Sequence, residues 1–169
     1  MSGQSVLHPH HPDQDPATVA WLNSDDLRAS FGLRRIVTLE GHRQWLHAAD
    51  DVLLLAIMDG KGVHVGNTLL KMNRMHRSGY FQIYIGVPEA RGHGIGRAAL
   101  AGMLARGFDG HGLHRIWLHT FPENVRAEAL YRSLGFVHEG VERDAICADG
   151  HYVSQNRWSL LEHEWRAVR

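Results

Sequence analysis

The amino-acid sequence predicts an α/β (α+β) domain in which a mixed central sheet of about six to seven strands is flanked by about four helices. Three observations support this class. Apolar strand segments joined by tight turns follow one another in the first half of the chain. A glycine-rich loop then leads into a helix, and a further helix and a hairpin close the sequence. Residues 1–16, rich in proline and histidine, are predicted to be a flexible tail, and residues 17–169 to form a single domain.

The composition excludes several classes of protein. The chain has 169 residues, 44% of them hydrophobic and 21% charged, which is the ordinary balance of one globular domain. Lysine plus arginine equals aspartate plus glutamate at 18 each, without a basic stripe, so we expect no nucleic-acid partner. Because there is no long apolar run and no signal peptide, we expect no membrane partner. The single cysteine, Cys147, fits a cytoplasmic protein.

Histidine is the unusual residue of this composition, with 14 copies. His8, His10 and His11 lie close together in the predicted tail, but no carboxylate or cysteine completes the set at a recognisable metal-ligand spacing. We therefore expect no metal cofactor. The alternative, a histidine-driven metal binder, predicts stoichiometric zinc in the purified protein.

Each element of the predicted fold follows from a local pattern. Apolar residues at helical spacing between Ala17 and Leu46 indicate two short helices joined by Ser30–Val37, the second one capped by Thr38. Short turns that contain glycine separate the next three strands, which should therefore be antiparallel: Val52–Met58, Val63–Met75 and Tyr80–Val87. The remaining elements are a helix from about Arg97 to Phe108, a strand His114–Phe121, a helix between Asn124 and Gly135, and a hairpin of Phe136–Ile146 with Tyr152–Leu160 around Asp149-Gly150.

The loop Arg91-Gly-His-Gly-Ile-Gly96 is the central feature of the sequence. Its glycines let the backbone approach a ligand, and its amides, together with a helix N-terminus, suit a diphosphate. Arg91 and Arg97 could add charge-assisted contacts. A phosphate-binding loop of the GxxxxGK[ST] kind is excluded because no lysine follows the last glycine. A dinucleotide fold requires GxGxxG inside a parallel βαβ unit, whereas the spacing here is GxGxG after hairpin-joined strands.

Two motifs resemble those of the GNAT superfamily of N-acetyltransferases. Arg91, Gly94 and Gly96 match the pattern Q/R-x-x-G-x-G/A of its coenzyme A loop. The later segment Asn124-x-x-Ala127-x-x-Leu130-Tyr131-x-x-x-Gly135-Phe136 resembles the late helix and strand start of these enzymes. The resemblance covers roughly residues 17–161. It implies a sheet in which an antiparallel meander is followed by a splayed pair of parallel strands.

The resemblance also implies an activity and a set of site residues. Acetyl-CoA would be the cosubstrate, and its acetyl group would pass to a primary amine. Backbone groups of Ile85, Gly86 and Val87 would contact the thioester and the pantetheine arm. Tyr131 is the candidate general acid for the thiolate of coenzyme A, and Asn124 the candidate for polar contacts with the cofactor. The loop residues expected at the diphosphate are Arg91, Gly92, His93, Gly94, Ile95, Gly96 and Arg97.

The general base is less well defined by the sequence. The attacking amine must lose a proton, because an alkylammonium has a pKa of about 10.4. His119, Glu123 and Glu40 are the candidates. His119 is placed near the end of the fourth predicted strand, and an imidazole titrates in a range that suits base chemistry.

The acceptor amine is predicted only as a class. Gly79–Ile85 and the final hairpin resemble polyamine and ribosomal-protein N-terminal acetyltransferases, and the stretch from Trp21 to Trp45 resembles amino-sugar acetyltransferases. Tyr80 stands where many relatives carry a glutamate, which weakens the polyamine alternative.

We expect a small amine of the amino-sugar or polyamine-like class. Acetylation of a protein N-terminus and a non-catalytic CoA-binding regulatory domain remain alternatives. Because dimers are common among the enzymes that the chain resembles, we expect a homodimer. Acceptor selection is expected to involve Trp21, Asn23, Arg28, Trp45 and Tyr152.

Overall fold

The computed structural model describes residues 6–148 and 150–167. The part of the predicted tail before residue 6 and Asp149 of the predicted turn lie outside the described residues. In chain order the elements are β1 (Leu7–Pro9), α1 (Asp15–Leu22), α2 (Asp25–Phe31), α3 (Leu39–Ala48), β2 (Val52–Met58), β3 (His64–Asn73), β4 (Ser78–Ile85), α4 (Ile95–Ala105), β5 (Arg115–Thr120), α5 (Val125–Ser133), β6 (Val137–Ala148), β7 (His151–Leu161) and α6 (Glu162–Ala167).

All seven described strands belong to one sheet, in the order β1-β2-β3-β4-β5-β7-β6. Strand β4 pairs with β5 in parallel, and every other described pair is antiparallel. Short turns join β2, β3 and β4, because glycine and polar residues at these positions reverse the chain at low cost. The mixed sheet and its antiparallel meander are therefore confirmed.

The parallel pair splays apart. Its register holds only from Ser78 to Tyr80 on β4 and from Arg115 to Trp117 on β5. Beyond this point both strands continue without pairing to each other, and their next residues line a common cleft. The predicted splayed pair is therefore present, and it creates the opening in which a ligand can lie.

Helix α4 forms the centre of the core against the sheet. Its buried residues recur at helical spacing on one face, so that Leu100, Met103 and Leu104 are each 0% exposed. They pack with sheet residues such as Leu70 and Ile116. The helix continues through a wider turn, Arg106–Gly110, in which Phe108 is also buried. The predicted apolar face of this helix is confirmed.

The segment from Leu7 to Asp15 differs from the flexible tail that its composition predicts. Strand β1 pairs with Leu55–Ile57 of β2, and Leu7 lies in the core at 3% exposure. A short turn of 3₁₀ helix, Pro12–Gln14, then leads into α1. A strand of three residues that ends in proline has almost no local signal, and it is stabilised by its partner strand.

The helical region before the sheet contains three helices where two were expected. Helix α1 ends at Leu22. Helix α2 begins after Ser24 and ends at Phe31, and the next residue, Gly32, adopts the left-handed conformation. The predicted cap of α3 is confirmed, because Thr38 Oγ1 accepts a hydrogen bond from Gly41 N at 3.0 Å. No described helix is both long enough and apolar enough to span a membrane.

Candidate active site

A cleft of about 490 Å³ opens where β4 and β5 diverge. Residues of β4, the glycine-rich loop, β5 and α5 line it. Of the predicted site residues, it brings together Ile85, Arg91, Gly92, Gly94, Gly96, Arg97, His119, Asn124 and Tyr131. The predicted residues outside its lining are Gly86, Val87, His93, Ile95, Glu123 and Glu40.

The loop before α4 presents free backbone donors to this cleft. Gly92 and Gly94 have φ values of 89° and 80°, a left-handed conformation that glycine adopts without steric cost. Gly94 is the N-cap of α4, and no side chain caps the helix. The first amides of a helix have no intrahelical acceptor, so those of Ile95, Gly96 and Arg97 form the positive end of the helix dipole. This arrangement is suited to bind an anion such as a diphosphate.

The two loop arginines already have protein partners. Arg91 donates from Nε to Ile85 O at 2.9 Å, and its Nη1 lies 2.7 Å from Asp26 Oδ2. Hydrogen bonds from Ser24 and then from Arg91 lower the pKa of Asp26. Arg97 donates to the hydroxyl and the carbonyl of Ser133 at the end of α5. These arginines therefore fix the loop against β4, α2 and α5, and their direct contact with a diphosphate stays a prediction.

Arg126 also lines the cleft and was not predicted from the sequence. It is exposed on the first turn of α5, and its Nη2 lies 3.4 Å from the position that a Cβ on Gly92 would occupy. An exposed arginine on a helix has no distinguishing pattern, because only the fold brings it next to the loop. It adds positive charge beside the uncapped end of α4.

The backbone after β4 departs from the prediction. The amides of Gly86 and Val87 both donate to Val65 O, at 2.8 and 3.2 Å, so β3 already occupies them. Of the three residues expected at the thioester, Ile85 lines the cleft. Gly86 is required by close packing instead, since a Cβ there would lie 2.1 Å from Trp21 Cδ2. Trp21 is thus a packing residue at the end of β4.

Tyr131 lies on α5 at 7% exposure, with its ring 5.5 Å from that of Phe136. Burial raises the pKa of its phenol well above the ordinary value, and the neighbouring Tyr80 adds to the shift. The phenol is therefore protonated throughout the working pH range and can donate a hydrogen bond into the cleft.

Asn124 serves first as the cap of α5. Its side-chain oxygen accepts a hydrogen bond from Ala127 N at 3.3 Å. This use of the carboxamide oxygen satisfies an orphan amide of the helix. Because Asn124 also lines the cleft, a polar contact with the cofactor stays a prediction.

Among the three candidate bases, the structure brings only His119 into the cleft. Its Nε2 lies 2.9 Å from Glu142 Oε2 on β6, at ion-pair distance but without hydrogen-bond alignment. Glu142 was not predicted, because the pairing order β5-β7-β6 is what places it near β5. Glu123 is exposed in a neighbouring cavity. Glu40 is exposed on α3, where it accepts a hydrogen bond from Gln44.

Two further cavities adjoin the cleft. One of about 780 Å³ shares Ser30, Phe121 and Asn124 with it and is lined by Arg28, Arg34 and Glu123 among others. The other, of about 430 Å³, lies between the early helices and the sheet, includes Trp45, and shares Phe31, Gln82 and Tyr84. Of the other residues expected to select the acceptor, Asn23 bonds both the amide and the carbonyl of Val37 at 2.8 Å, and Tyr152 lines none of these cavities.

A sheet that splays beside an uncapped helix N-terminus is the arrangement of an acyl-CoA binding site. Comparison with known protein families agrees with this class. The chain belongs to the acetyltransferase (GNAT) family, whose model matches residues 17–136.

Two curated relatives are acetyltransferases. A spermidine N(1)-acetyltransferase of Vibrio cholerae is 36% identical over 97 residues, which cover 57% of this chain and 56% of that protein. A mycothiol acetyltransferase of Pseudarthrobacter chlorophenolicus is 34% identical over 141 residues, covering 80% of this chain and 38% of that protein. The chain thus matches about half or less of the length of these curated relatives.

The fold itself is shown by a solved structure. The crystal structure of spermidine N-acetyltransferase from Vibrio cholerae, in complex with CoA and spermine, aligns with a TM-score of 0.87 at 24% identity. The alignment covers 95% of this chain and 96% of that one.

Proposed function

We propose that this chain is an acetyl-CoA-dependent N-acetyltransferase whose acceptor is the primary amine of a small molecule, of the amino-sugar or polyamine-like class. The observation that carries the proposal is the shared cleft, in which the uncapped N-terminus of α4 and the buried Tyr131 face the same opening. Family membership and the similarity to spermidine acetyltransferases support it.

The cofactor would be held by the loop and oriented by β4. The uncapped amides at the start of α4, those of Ile95, Gly96 and Arg97, would bind the diphosphate, with Arg126 adding charge beside them. The pantetheine arm would then run between the diverging strands, past Ile85. This path places the thioester near the residues of β4 and β5 that no longer pair with each other.

The chemistry requires one base and one donor. His119 would accept the proton of the attacking ammonium, directly or through water, and Glu142 would stabilise the imidazolium that forms. The amine attacks the thioester carbonyl, the C–S bond breaks, and the thiolate of coenzyme A leaves. A thiol has a pKa of about 8.5, below the value of about 10 of a tyrosine phenol. Burial makes the Tyr131 phenol weaker still as an acid, so its main role would be to stabilise the developing thiolate by hydrogen bonding.

The test is acetyl-CoA binding together with thiol release on a panel of amines: spermidine, spermine, amino sugars and a peptide with a free N-terminus. We expect binding and thiol release with at least one small amine. Turnover of the peptide alone would contradict the small-amine acceptor. Tight acetyl-CoA binding with no thiol release on any amine would indicate a regulatory domain.

We further infer that the chain forms a homodimer. The final hairpin supports this, since β6 is an outer strand of the sheet and carries exposed valines. One structure of the Vibrio cholerae enzyme is described as dodecameric, which concerns that protein. A location in the cytoplasm, expected from the single cysteine, stays a prediction.

A further inference from the structure

A buried cluster of two histidines and one aspartate lies outside the cleft. His10, Asp15 and His42 come from the segment before α1, from the first residue of α1 and from α3. Each offers one ligand atom, and no two of these atoms are more than 4.8 Å apart. The three side chains are 7%, 2% and 6% exposed, respectively. Such a donor set is that of a transition-metal site rather than of an exposed polar surface.

His10 Nε2 and Asp15 Oδ1 are hydrogen bonded, but the hydrogen-bond network of the cluster is open at His42. Asp15 Oδ1 lies 2.9 Å from His10 Nε2 and 3.5 Å from His42 Nε2. Ligands around a tetrahedral zinc ion are separated by about 3.4 Å. His42 Nε2 makes no hydrogen bond to any described residue, although it is buried. Buried polar atoms almost always have a hydrogen-bond or metal partner, so we expect a ligand to bind this nitrogen.

Neighbouring residues orient the donors. Arg43 donates from Nε to Asp15 Oδ2 at 2.8 Å, which leaves Oδ1 facing the histidines. His64 lies nearby, with its ring 6.3 Å from that of His10, but its Nε2 is bonded to Asn67 Oδ1 at 2.9 Å. His64 is therefore occupied, and a water molecule would complete a site of three protein ligands.

We propose that His10, Asp15 and His42 bind a divalent transition-metal ion, with zinc as the ion that best suits this donor set. The ion ties the segment before α1 to both α1 and α3. It has a structural role and does not depend on the proposed acetyltransferase activity. This set replaces the one considered from sequence spacing, because His8 is exposed and His11 pairs with Asp13 at the surface.

The test uses the full chain without an affinity tag. After chelator treatment and dialysis, zinc is titrated calorimetrically, cobalt(II) absorption is recorded, and the thermal midpoint is measured with and without zinc. We expect about one equivalent of zinc per chain, visible cobalt bands of a tetrahedral site, and a higher midpoint with zinc. His42→Gln should lose all three signals. His47→Gln, an exposed histidine on the same helix, should keep them.

Two more variants make the outcome decisive. His10→Gln should also lose the zinc equivalent, and circular dichroism verifies that each variant is folded. His8→Gln/His11→Gln should retain it, because these residues lie outside the cluster. The proposal is overturned if the folded His42→Gln and His10→Gln chains bind as much zinc as the parent, if the parent binds none, or if His8→Gln/His11→Gln abolishes binding.

Discussion

Tyr131 and Tyr152 carry the same phenol in opposite environments, at 7% and 67% exposure. The buried phenol of Tyr131 is a fixed donor at the cleft, whereas the exposed phenol of Tyr152 is hydrated by bulk water. We expect Tyr131→Phe to lower kcat by about 10²- to 10³-fold, the usual cost of removing one preorganised hydrogen-bond donor to a developing anion. The dissociation constant of acetyl-CoA should change little, because the diphosphate site is formed by other residues.

Steady-state kinetics and calorimetric titration of acetyl-CoA measure the two effects separately. Tyr152→Phe is the matched control and should leave both values unchanged. An unaltered kcat in Tyr131→Phe would remove this residue from the mechanism.

Single residues also show where sequence-based reasoning reaches its limit. Gly94 and Gly96 could be selected because glycine in a loop before a helix has few other physical explanations. Glu142 could not, since only the strand order places it beside His119. The same holds for His42, which joins His10 and Asp15 through the packing of α3 against α1. Residues that act through long-range contacts carry no local signal.

Within an element, α4 gives a test in which stability and binding change in opposite directions. A Cβ on Gly96 would meet no atom within 4 Å, and an alanine in the first turn of a helix is favoured over glycine. Gly96→Ala should therefore raise the free energy of unfolding by up to about 1 kcal/mol. The added methyl group would face the cleft and weaken acetyl-CoA binding by about tenfold, a cost of about 1.4 kcal/mol.

Urea unfolding and acetyl-CoA titration give the two values. Gly102→Ala lies on the same helix but next to Leu7, away from the cleft, and should not change the affinity. Equal affinity in Gly96→Ala and the parent would place the diphosphate elsewhere.

The hairpin of β6 and β7 is attached to β5 by an ionic contact. Both oxygens of Glu139 lie 2.5 Å from Arg115 nitrogens, and Ser159 Oγ donates to Oε1 at 2.8 Å. These hydrogen bonds, mainly those of Arg115, lower the pKa of Glu139 from 4.5 to about 2. Because the folded-state pKa is below the unfolded one, the stabilisation is complete above about pH 4.5 and is lost as the pH falls toward 2.

Glu139→Gln should therefore lower the free energy of unfolding by about 1–2 kcal/mol at pH 7. Its difference from the parent should shrink as the pH falls from about 4.5 toward 2. Chemical unfolding over this pH range measures the difference, with Glu89→Gln, an exposed residue, as the control. A constant difference down to the acid limit would mean that the ion pair is not the source of the stability.

Elements with a strong local pattern were predicted closely, and those held by distant contacts were not. Strand Val52–Met58 matches its predicted bounds because it is a continuous apolar run before a glycine turn. The cap of α3 by Thr38 was equally local. Strand β1 and helix α6 were missed, since both are short and depend on packing, β1 through Leu7 and α6 through the buried Trp165.

The whole molecule presents apolar side chains at one end of its sheet. Strand β6 is the outermost strand there, with Val137 and Val141 at 50% and 56% exposure. Its register shifts twice, between His138 and Gly140 and between Glu142 and Ile146. Such bulges bend a strand and prevent long edge-to-edge pairing. Self-association at this edge should therefore depend on side-chain contacts, as in a two-fold symmetric interface.

Light scattering coupled to size exclusion should accordingly show a parent chain larger than a monomer and a Val141→Glu chain shifted toward the monomer, because a charge buried in an apolar interface is costly. Met75→Glu, at a residue 87% exposed in the turn between β3 and β4, should keep the parent's mass. If Val141→Glu retains that mass while remaining folded, the chains meet through another surface. If the parent is monomeric, the inferred homodimer is wrong.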